Sequence, residues 1–144
     1  MKKFSLLLLF VISIFFSACD STIDTGAKEV KYDREVCERC KMILSERNYA
    51  VQLINPSNGK RYYYDDIGCA ILWFDEEHIE WEKDAIIYVA DVQTGEWINA
   101  YEAFWTYGAV TPMDFGFSAN KYKQEDKENF SYNYVRDRVL GKPQ

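Results

Sequence analysis

The stretch YAVQLINPSNGKRYYYDDIGCAILWFDEE, residues Tyr49–Glu77, contains the local signals that decide the fold. Tyr49–Asn55 and Arg61–Tyr64 are rich in β-branched and aromatic residues, which predicts two strands. Pro56–Gly59, between them, has proline early and glycine late, as short hairpin loops do. The first half of the stretch therefore predicts a β-hairpin.

The second half of the stretch predicts a helix. Apolar residues recur there at the spacing of one helix face, at Ile67, Ala70, Ile71 and Phe74. Asp65 and Asp66 directly precede this run, where a carboxylate caps the free amides of the first turn. We predict a helix over Ile67–Glu77, with the two aspartates as its cap rather than as an acid–base pair.

The hairpin pattern then recurs. Ala85–Asp91 and Glu96–Ala100 predict two further strands, joined by the turn Val92–Gly95. A shift of 36 residues places Gly59 on Gly95, and the two hairpins have the same length. The sequence therefore predicts two hairpin units of one kind.

The rest of the chain predicts an insertion and a closing helix. Thr106–Phe117 reads as irregular, and Phe130 and Tyr134 belong to a helix-spaced apolar pattern over 124–140 that Gly141 can end. The predicted fold class is α+β, with two ββα-like units, each a hairpin plus a helix, forming one small compact domain.

The N-terminus has the organisation of an export signal. Two lysines precede an apolar run at 6–16, which is too short to span a bilayer as a helix. Phe16–Cys19 reads FSAC and resembles a bacterial lipobox, which implies cleavage before Cys19 and acylation of its sulfur. An ordinary signal peptide with an incidental cysteine is the alternative.

Cleavage before Cys19 would leave 126 residues, enough for one packed domain. We divide the chain into a lipoprotein signal peptide (1–18), a lipidated flexible tether (19–34) and a folded domain (35–144). The net charge after cleavage is −8, since the signal has two lysines and no acidic residue. Such a surface argues against nucleic acid or an anionic lipid face as the partner.

Three cysteines remain once Cys19 is acylated: Cys37, Cys40 and Cys69. An odd number in an exported protein means that at least one thiol is free, bound to metal or bridged to another chain. Because a free thiol is a liability in an oxidising compartment, we expect it to have a function.

Cys37–Met42 reads CERCKM and places two thiols and a thioether within six residues. A structural zinc site normally has a second ligand pair, and a thioredoxin-like dithiol follows a strand and opens a long helix. Covalent haem normally needs histidine where this chain has Lys41. Sulfur ligands select Cu(I). A Cu(I) site, a thiol oxidoreductase using Cys37 and Cys40, and a zinc module therefore stay open.

The Cu(I) hypothesis carries specific expectations. Cys40 and Met42 are two residues apart, so in an extended stretch their side chains face the same way. Lys41 would face away, and its charge would help to keep Cys40 ionised. Met113 lies in the irregular insertion, where a thioether is either a ligand or core filler. Cys69 is either a ligand or a small buried residue, with its pKa lowered by the predicted helix.

A series of short motifs runs in order through most of Glu35–Ala119. Besides the lipobox, they are CERCKMI, AVQLI, YDDIGC, YVADVQTGEWINA and TPMDFGFSA. Their order and spacing resemble the NosL family of copper-binding lipoproteins, which are nitrous oxide reductase accessory proteins. That family often has glycine between the second cysteine and the methionine, where this chain has Lys41.

The resemblance implies a non-enzymatic Cu(I) metallochaperone that delivers copper to the assembly of periplasmic nitrous oxide reductase. It implies a lipid anchor on the extracytoplasmic side of the cell membrane and a partner in the ABC-transporter complex that assembles the enzyme. It places the metal at Cys40 and Met42, with Met113 as a further ligand. We add Cys37 to this set, although the family does not require a cysteine there.

Overall fold

The central element is a four-stranded antiparallel sheet, defined by a computed structural model that describes residues 22–143. Its strands are β1 (Val51–Ile54), β2 (Arg61–Tyr64), β3 (Ile86–Ala90) and β4 (Trp97–Asn99). They lie in the order β2-β1-β3-β4, so β1 and β3 form the centre. Cys19 and the predicted signal peptide fall outside the described residues.

The register of this sheet follows the predicted repeat. Leu53 pairs with Tyr62 in the first hairpin. Val89 and Ile98, each 36 positions later, pair with each other in the second. Because β1 and β3 pair antiparallel, the two hairpins are related by an approximate two-fold axis.

The two hairpin turns also share their chemistry. The amide of Gly59 donates to the carbonyl of Asn55 at 2.8 Å, and that of Gly95 donates in the same way to Asp91 at 2.8 Å. Both glycines have positive φ, 71° and 73°, which glycine adopts without the strain of other residues. In each turn the Asn55 or Asp91 side chain accepts from an amide two residues on, at 2.9 and 3.0 Å.

Helix α1 (Ile67–Glu76) follows β2 as predicted and ends one residue early. Asp66 is its N-cap, since the carboxylate accepts the Gly68 amide at 3.2 Å. The helix lies on the sheet, where the ring centroids of Trp73 and Tyr62 are 4.8 Å apart. This packing fixes the first turn of α1 at the end of β2.

Helix α2 (Tyr132–Val139) is shorter than predicted, so the expectation of a helix over 124–140 was wrong in its first half. Ser131 caps its first turn. Helical spacing places Phe130 on the helix face, but its backbone exchanges two hydrogen bonds with Trp105, at 3.0 and 2.7 Å. This bridge holds Phe130 outside the helix, which therefore begins only after it.

The predicted irregular insertion over 106–117 is also partly regular. Strands β5 (Phe104–Tyr107) and β6 (Phe117–Asn120) pair as a second antiparallel sheet, and residues 108–116 form the loop between them. Within the described residues the molecule is thus a small domain of two helices and two antiparallel sheets. This arrangement confirms the predicted α+β class.

One hydrophobic core joins these elements. Its largest fully buried apolar side chains include those of Trp105, Tyr64, Phe74 and Leu44. Tyr64 is the last residue of β2, and Phe74 lies on α1. The junction between β2 and α1 is therefore held by packing on both sides.

Residues 22–34, most of the predicted tether, lie along the domain. The Asp24 carbonyl accepts a hydrogen bond from Arg61 at 3.0 Å. The Gln52 side chain exchanges two hydrogen bonds with the backbone of Lys28, at 3.0 and 2.6 Å. Val30 is buried. No helix in the described part of the chain combines the length and the apolar character needed to cross a bilayer.

Candidate metal centre

The C-x-x-C motif forms a tight turn, here called the knuckle (residues 36–43). Val36 and Ile43 pair as an antiparallel bridge at its base. Within it, the Cys37 amide donates to the Met42 carbonyl at 2.8 Å, and the Lys41 amide donates to the Cys37 carbonyl at 3.0 Å. Lys41 has φ of 61°, in the left-handed region that glycine prefers.

Two contacts fix the knuckle to the rest of the domain. The amide of Glu38 donates to the carbonyl of Tyr63 on β2 at 2.8 Å. The guanidinium of Arg39 forms a two-pronged hydrogen bond with the carboxylate of Glu76 at the end of α1, at 2.8 and 2.7 Å. The knuckle therefore lies across the end of β2 and the side of α1.

Four potential ligand groups converge at this position. The thiols of Cys37, Cys40 and Cys69 and a carboxylate oxygen of Asp65 all lie within 4.8 Å of one another. The knuckle supplies the first two thiols. Asp65 directly follows β2, and Cys69 is in the first turn of α1. Sulfur and carboxylate at this separation have the composition and the size of a metal site.

The site is accessible from one side. Cys37 and Cys69 are fully buried, whereas Cys40 is half-buried. No pair of these thiols forms a disulfide, and the three cysteines are free. Cys40 is thus the part of the cluster nearest to solvent, here called the open side.

Asp65 is a buried carboxylate that the protein does not fully satisfy. Its Oδ2 accepts a hydrogen bond from the Cys40 thiol at 3.3 Å. Its Oδ1 is buried and has no hydrogen-bond partner among the described residues. A buried carboxylate oxygen without a partner is costly, so a cation held by the neighbouring thiols would fit this cluster.

The three thiols differ in their pKa values. The pKa of Cys37 is lowered to about 6, mainly because the Cys69 thiol donates a hydrogen bond to it. The pKa of Cys40 is raised to about 12, mainly by burial. The pKa of Cys69 is also raised, first because its thiol is the donor to Cys37. At neutral pH the cluster is therefore one thiolate flanked by two thiols.

Two expectations about these thiols were wrong. Lys41 does not keep Cys40 ionised, since its ammonium points to Glu38 at 3.7 Å and burial decides the pKa of Cys40. The first turn of α1 does not lower the pKa of Cys69, because donation to Cys37 and burial outweigh the helix dipole. Both thiols are therefore protonated at neutral pH.

The two methionines predicted as ligands lie on different segments, Met42 on the knuckle and Met113 in the 108–116 loop. Met42 is 44% exposed on the knuckle. Because Lys41 has positive φ, residues 40–42 are not extended and the argument that Cys40 and Met42 face the same way does not apply. Met113 is half-buried, and its amide donates to Asp66 at 3.3 Å. Its loop is thus fixed to the cap of α1, next to Asp65.

Sequence reasoning missed Asp65 as a possible ligand and left Cys69 open. The sequence predicts Asp65 and Asp66 together as the helix cap, but Asp66 alone makes the capping hydrogen bond. The signal that could have found Asp65 is the motif YDDIGC. In it, Asp65 stands just before the predicted helix and Cys69, four residues later, stands in its first turn. Residues four apart at a helix lie on the same side, so both side chains reach the knuckle.

The fold and the site define a class: a small α+β domain with three thiols and a carboxylate gathered at the junction of a hairpin and a helix. Among solved structures, the chain is similar to the copper chaperone NosL from Shewanella denitrificans, with a TM-score of 0.54 over 76% of this chain and 95% of that one. The two share 16% sequence identity, so the likeness is one of fold. No protein-family model matches the chain, and no curated protein does either.

Proposed function

We propose that this protein is a carrier of Cu(I). The observation that supports it best is the convergence of Cys37, Cys40 and Cys69, with Cys40 at the open side. Thiolates prefer soft monovalent copper, and an open side allows the ion to pass to a recipient by ligand exchange. The fold that the chain shares with a copper chaperone supports the same reading.

The finer proposal concerns location and recipient. We propose an extracytoplasmic lipoprotein, anchored through Cys19, that delivers copper to the assembly of periplasmic nitrous oxide reductase through its ABC-transporter complex. The lipobox-like FSAC and the ordered motifs of the sequence support this assignment. Deleting the protein from a denitrifying host should lower the copper content of its nitrous oxide reductase. Unchanged copper content would point to another recipient.

A thiol oxidoreductase fits the geometry less well. An attacking cysteine must be both ionised and accessible. Here Cys37, with a pKa lowered to about 6, is fully buried. The more accessible Cys40 has a pKa of about 12. The C-x-x-C pair also lies in a turn, whereas the pair of a thioredoxin-like dithiol opens a long helix.

A zinc site is the second candidate, because of Asp65. Three thiolates and one carboxylate oxygen complete the tetrahedral ligand set that Zn²⁺ prefers. Cu(I) needs only two or three of the sulfurs. The role of Asp65 therefore distinguishes the two metals.

Metal titration of the reduced protein with competing chelators tests both candidates. Wild type should bind about one Cu(I) tightly, and Cys40→Ser should weaken it at least about tenfold through loss of one thiolate. Asp65→Asn should change the affinity for Cu(I) by no more than a few-fold and should weaken the binding of Zn²⁺. Asp75→Asn, on the exposed surface of α1, is the matched control. X-ray absorption of the Cu(I) form should show sulfur neighbours alone. Loss of Cu(I) binding in Asp65→Asn, or none in wild type, would refute the copper proposal.

A further inference from the structure

The N-terminal segment links the proposed anchor to one particular end of the domain. We infer that residues 23–30 act as a strut, which holds the β1–β2 turn at the bilayer and presents the knuckle to a protein partner on the aqueous side. This inference rests on the acylation of Cys19 that forms part of the proposed function.

The strut begins at the β1–β2 turn. Ile23 packs so closely on Gly59 that a Cβ added to the glycine would lie 2.9 Å from the Ile23 side chain. The adjacent Asp24 carbonyl accepts from Arg61 at 3.0 Å. Cys19 precedes Thr22 by three residues, which span at most about 10 Å when extended. An acylated Cys19 therefore holds this turn close to the membrane surface.

The strut then runs along the sheet, away from that turn. Lys28 is fixed by two backbone hydrogen bonds to the Gln52 side chain, at 3.0 and 2.6 Å. Val30, the last residue of the strut, is buried, and just beyond it the amide of Asp33 donates to the Leu44 carbonyl at 2.8 Å. These contacts along the whole segment transmit the position of the anchor to the orientation of the domain.

The metal centre lies at the opposite end of the same strands. Arg61 is the first residue of β2 and Tyr64 is the last, and Asp65 follows directly. Three residue steps along a strand span about 10 Å, so Asp65 lies at least that much farther from the β1–β2 turn. The open side at Cys40 is next to Asp65 and shares this distance from the anchor.

The knuckle exposes three apolar side chains beside the charged pair Glu38 and Lys41. Val36, Met42 and Ile43 are 45%, 44% and 57% exposed on the knuckle. A short tether that begins at the other end of the sheet holds the β1–β2 turn, and not these side chains, next to the lipid. We therefore assign the knuckle surface to a protein partner that receives the ion in the aqueous space.

Photocrosslinking to lipid tests the orientation. The full acylated chain is bound to vesicles of phosphatidylethanolamine and phosphatidylglycerol, with benzoylphenylalanine in place of Asn58 in the turn or of Ile43 in the knuckle, both exposed. The probe at Asn58 should crosslink to lipid several-fold more than the probe at Ile43. A flexible Gly/Ser insertion after Thr22 should remove the difference. Removal of Cu(I) by a dextran-linked chelator should be as fast on vesicles as in detergent.

The outcomes separate the orientation from the anchor. Vesicle binding with equal crosslinking from both positions, or a difference that survives the insertion, would overturn the strut while the anchor stands. Slower removal of Cu(I) on vesicles would also overturn it, because the bilayer would then cover the knuckle. Failure of the processed chain to float with vesicles, with Cu(I) binding intact, would overturn the anchor and with it the strut.

Discussion

Cys40 differs from the other two thiols of the centre in both position and protonation. It is half-buried, whereas Cys37 and Cys69 have no exposed surface. Its thiol donates to Asp65 at 3.3 Å, and burial raises its pKa to about 12. An incoming ion therefore meets a protonated thiol first, and binding through Cys40 must release its proton.

The number of protons released on metal binding shows how many protonated thiols coordinate the ion. At pH 7 Cys37 is mostly thiolate, with a pKa of about 6, while the thiols of Cys40 and Cys69 are protonated. Coordination by all three should release about two protons per Cu(I) at pH 7. Below pH 6 Cys37 is protonated as well, so release should rise towards about three protons and affinity should fall more steeply.

Titration in weakly buffered solution measures this release directly. The Cys40–Met42 pair that the family resemblance implies would release about one proton at pH 7, because a thioether carries none. A value near one that does not change down to pH 5 would exclude Cys37 and Cys69 as ligands.

The left-handed backbone of Lys41 leads to a stability prediction. A non-glycine residue in this region costs about 1 kcal/mol or more, and glycine loses part of that gain through its freer unfolded state. Lys41→Gly should therefore raise the free energy of unfolding of the metal-free protein by up to about 1 kcal/mol. Urea unfolding measures it, with Ser45→Gly, which lacks positive φ, as a control that should lose stability.

At the scale of elements, the start of α1 organises the site. Asp66 accepts the Gly68 amide and also ties down the 108–116 loop, through the Thr111 hydroxyl at 2.5 Å and the Met113 amide at 3.3 Å. Phe115 of the same loop lies directly over Gly68. One helix cap thus fixes both the candidate ligands beside it, Asp65 and Cys69, and the loop that carries Met113.

Gly68 has no room for a side chain, which gives a test of this arrangement. An added Cβ would overlap the ring of Phe115, so Gly68→Ala should displace the loop. Overpacking of this kind should lower the free energy of unfolding by about 1–3 kcal/mol. Urea unfolding measures the loss, and Gly26→Ala, where the nearest atom is 3.6 Å away, is the control.

The same variant reports on Met113. If Met113 is a ligand, displacement of its loop should weaken Cu(I) in proportion, whereas a purely structural methionine should leave the affinity of the folded protein unchanged. Equal stability of the Gly68 and Gly26 variants would contradict the close packing of Phe115.

Local signals predicted the elements better than their lengths and contacts. The hairpins followed from turn chemistry, since Gly59 and Gly95 take the positive φ that such turns require. The closing helix was overextended because the pairing of Phe130 with Trp105 is a long-range contact, invisible to helical spacing. Likewise, the spacing of Cys37 and Cys40 indicated a site. The long-range packing of the knuckle on β2 and α1 brings Asp65 next to Cys40, and local spacing does not predict that contact.

At the scale of the molecule, the two-fold repeat supports one metal centre rather than two. A shift of 36 residues places Trp105 on Cys69 and Tyr101 on Asp65. Trp105 is buried in the core, and its indole donates to the Ala100 carbonyl at 3.0 Å. Cys69 lies on helix α1 and Trp105 on strand β5, so the two units diverge after their hairpins, and the second packs an indole into the core where the first carries a thiol.

Because both units contribute to the core and only the first carries the thiols, we predict that the metal-free protein is folded. Bound Cu(I) should stabilise it further. With free Cu(I) held about 1,000-fold above the dissociation constant, loading should raise the free energy of unfolding by about 4 kcal/mol. Thermal melts with and without Cu(I) in a chelator buffer measure the rise in melting temperature, expected at roughly 15 °C.

Cys40→Ser is the matched control. Its serine hydroxyl can still donate to Asp65, so the metal-free variant should lose less than about 1 kcal/mol while the shift with Cu(I) largely disappears. A wild-type protein that is unfolded without metal would contradict this account, because the knuckle and not the shared core would then hold the domain together.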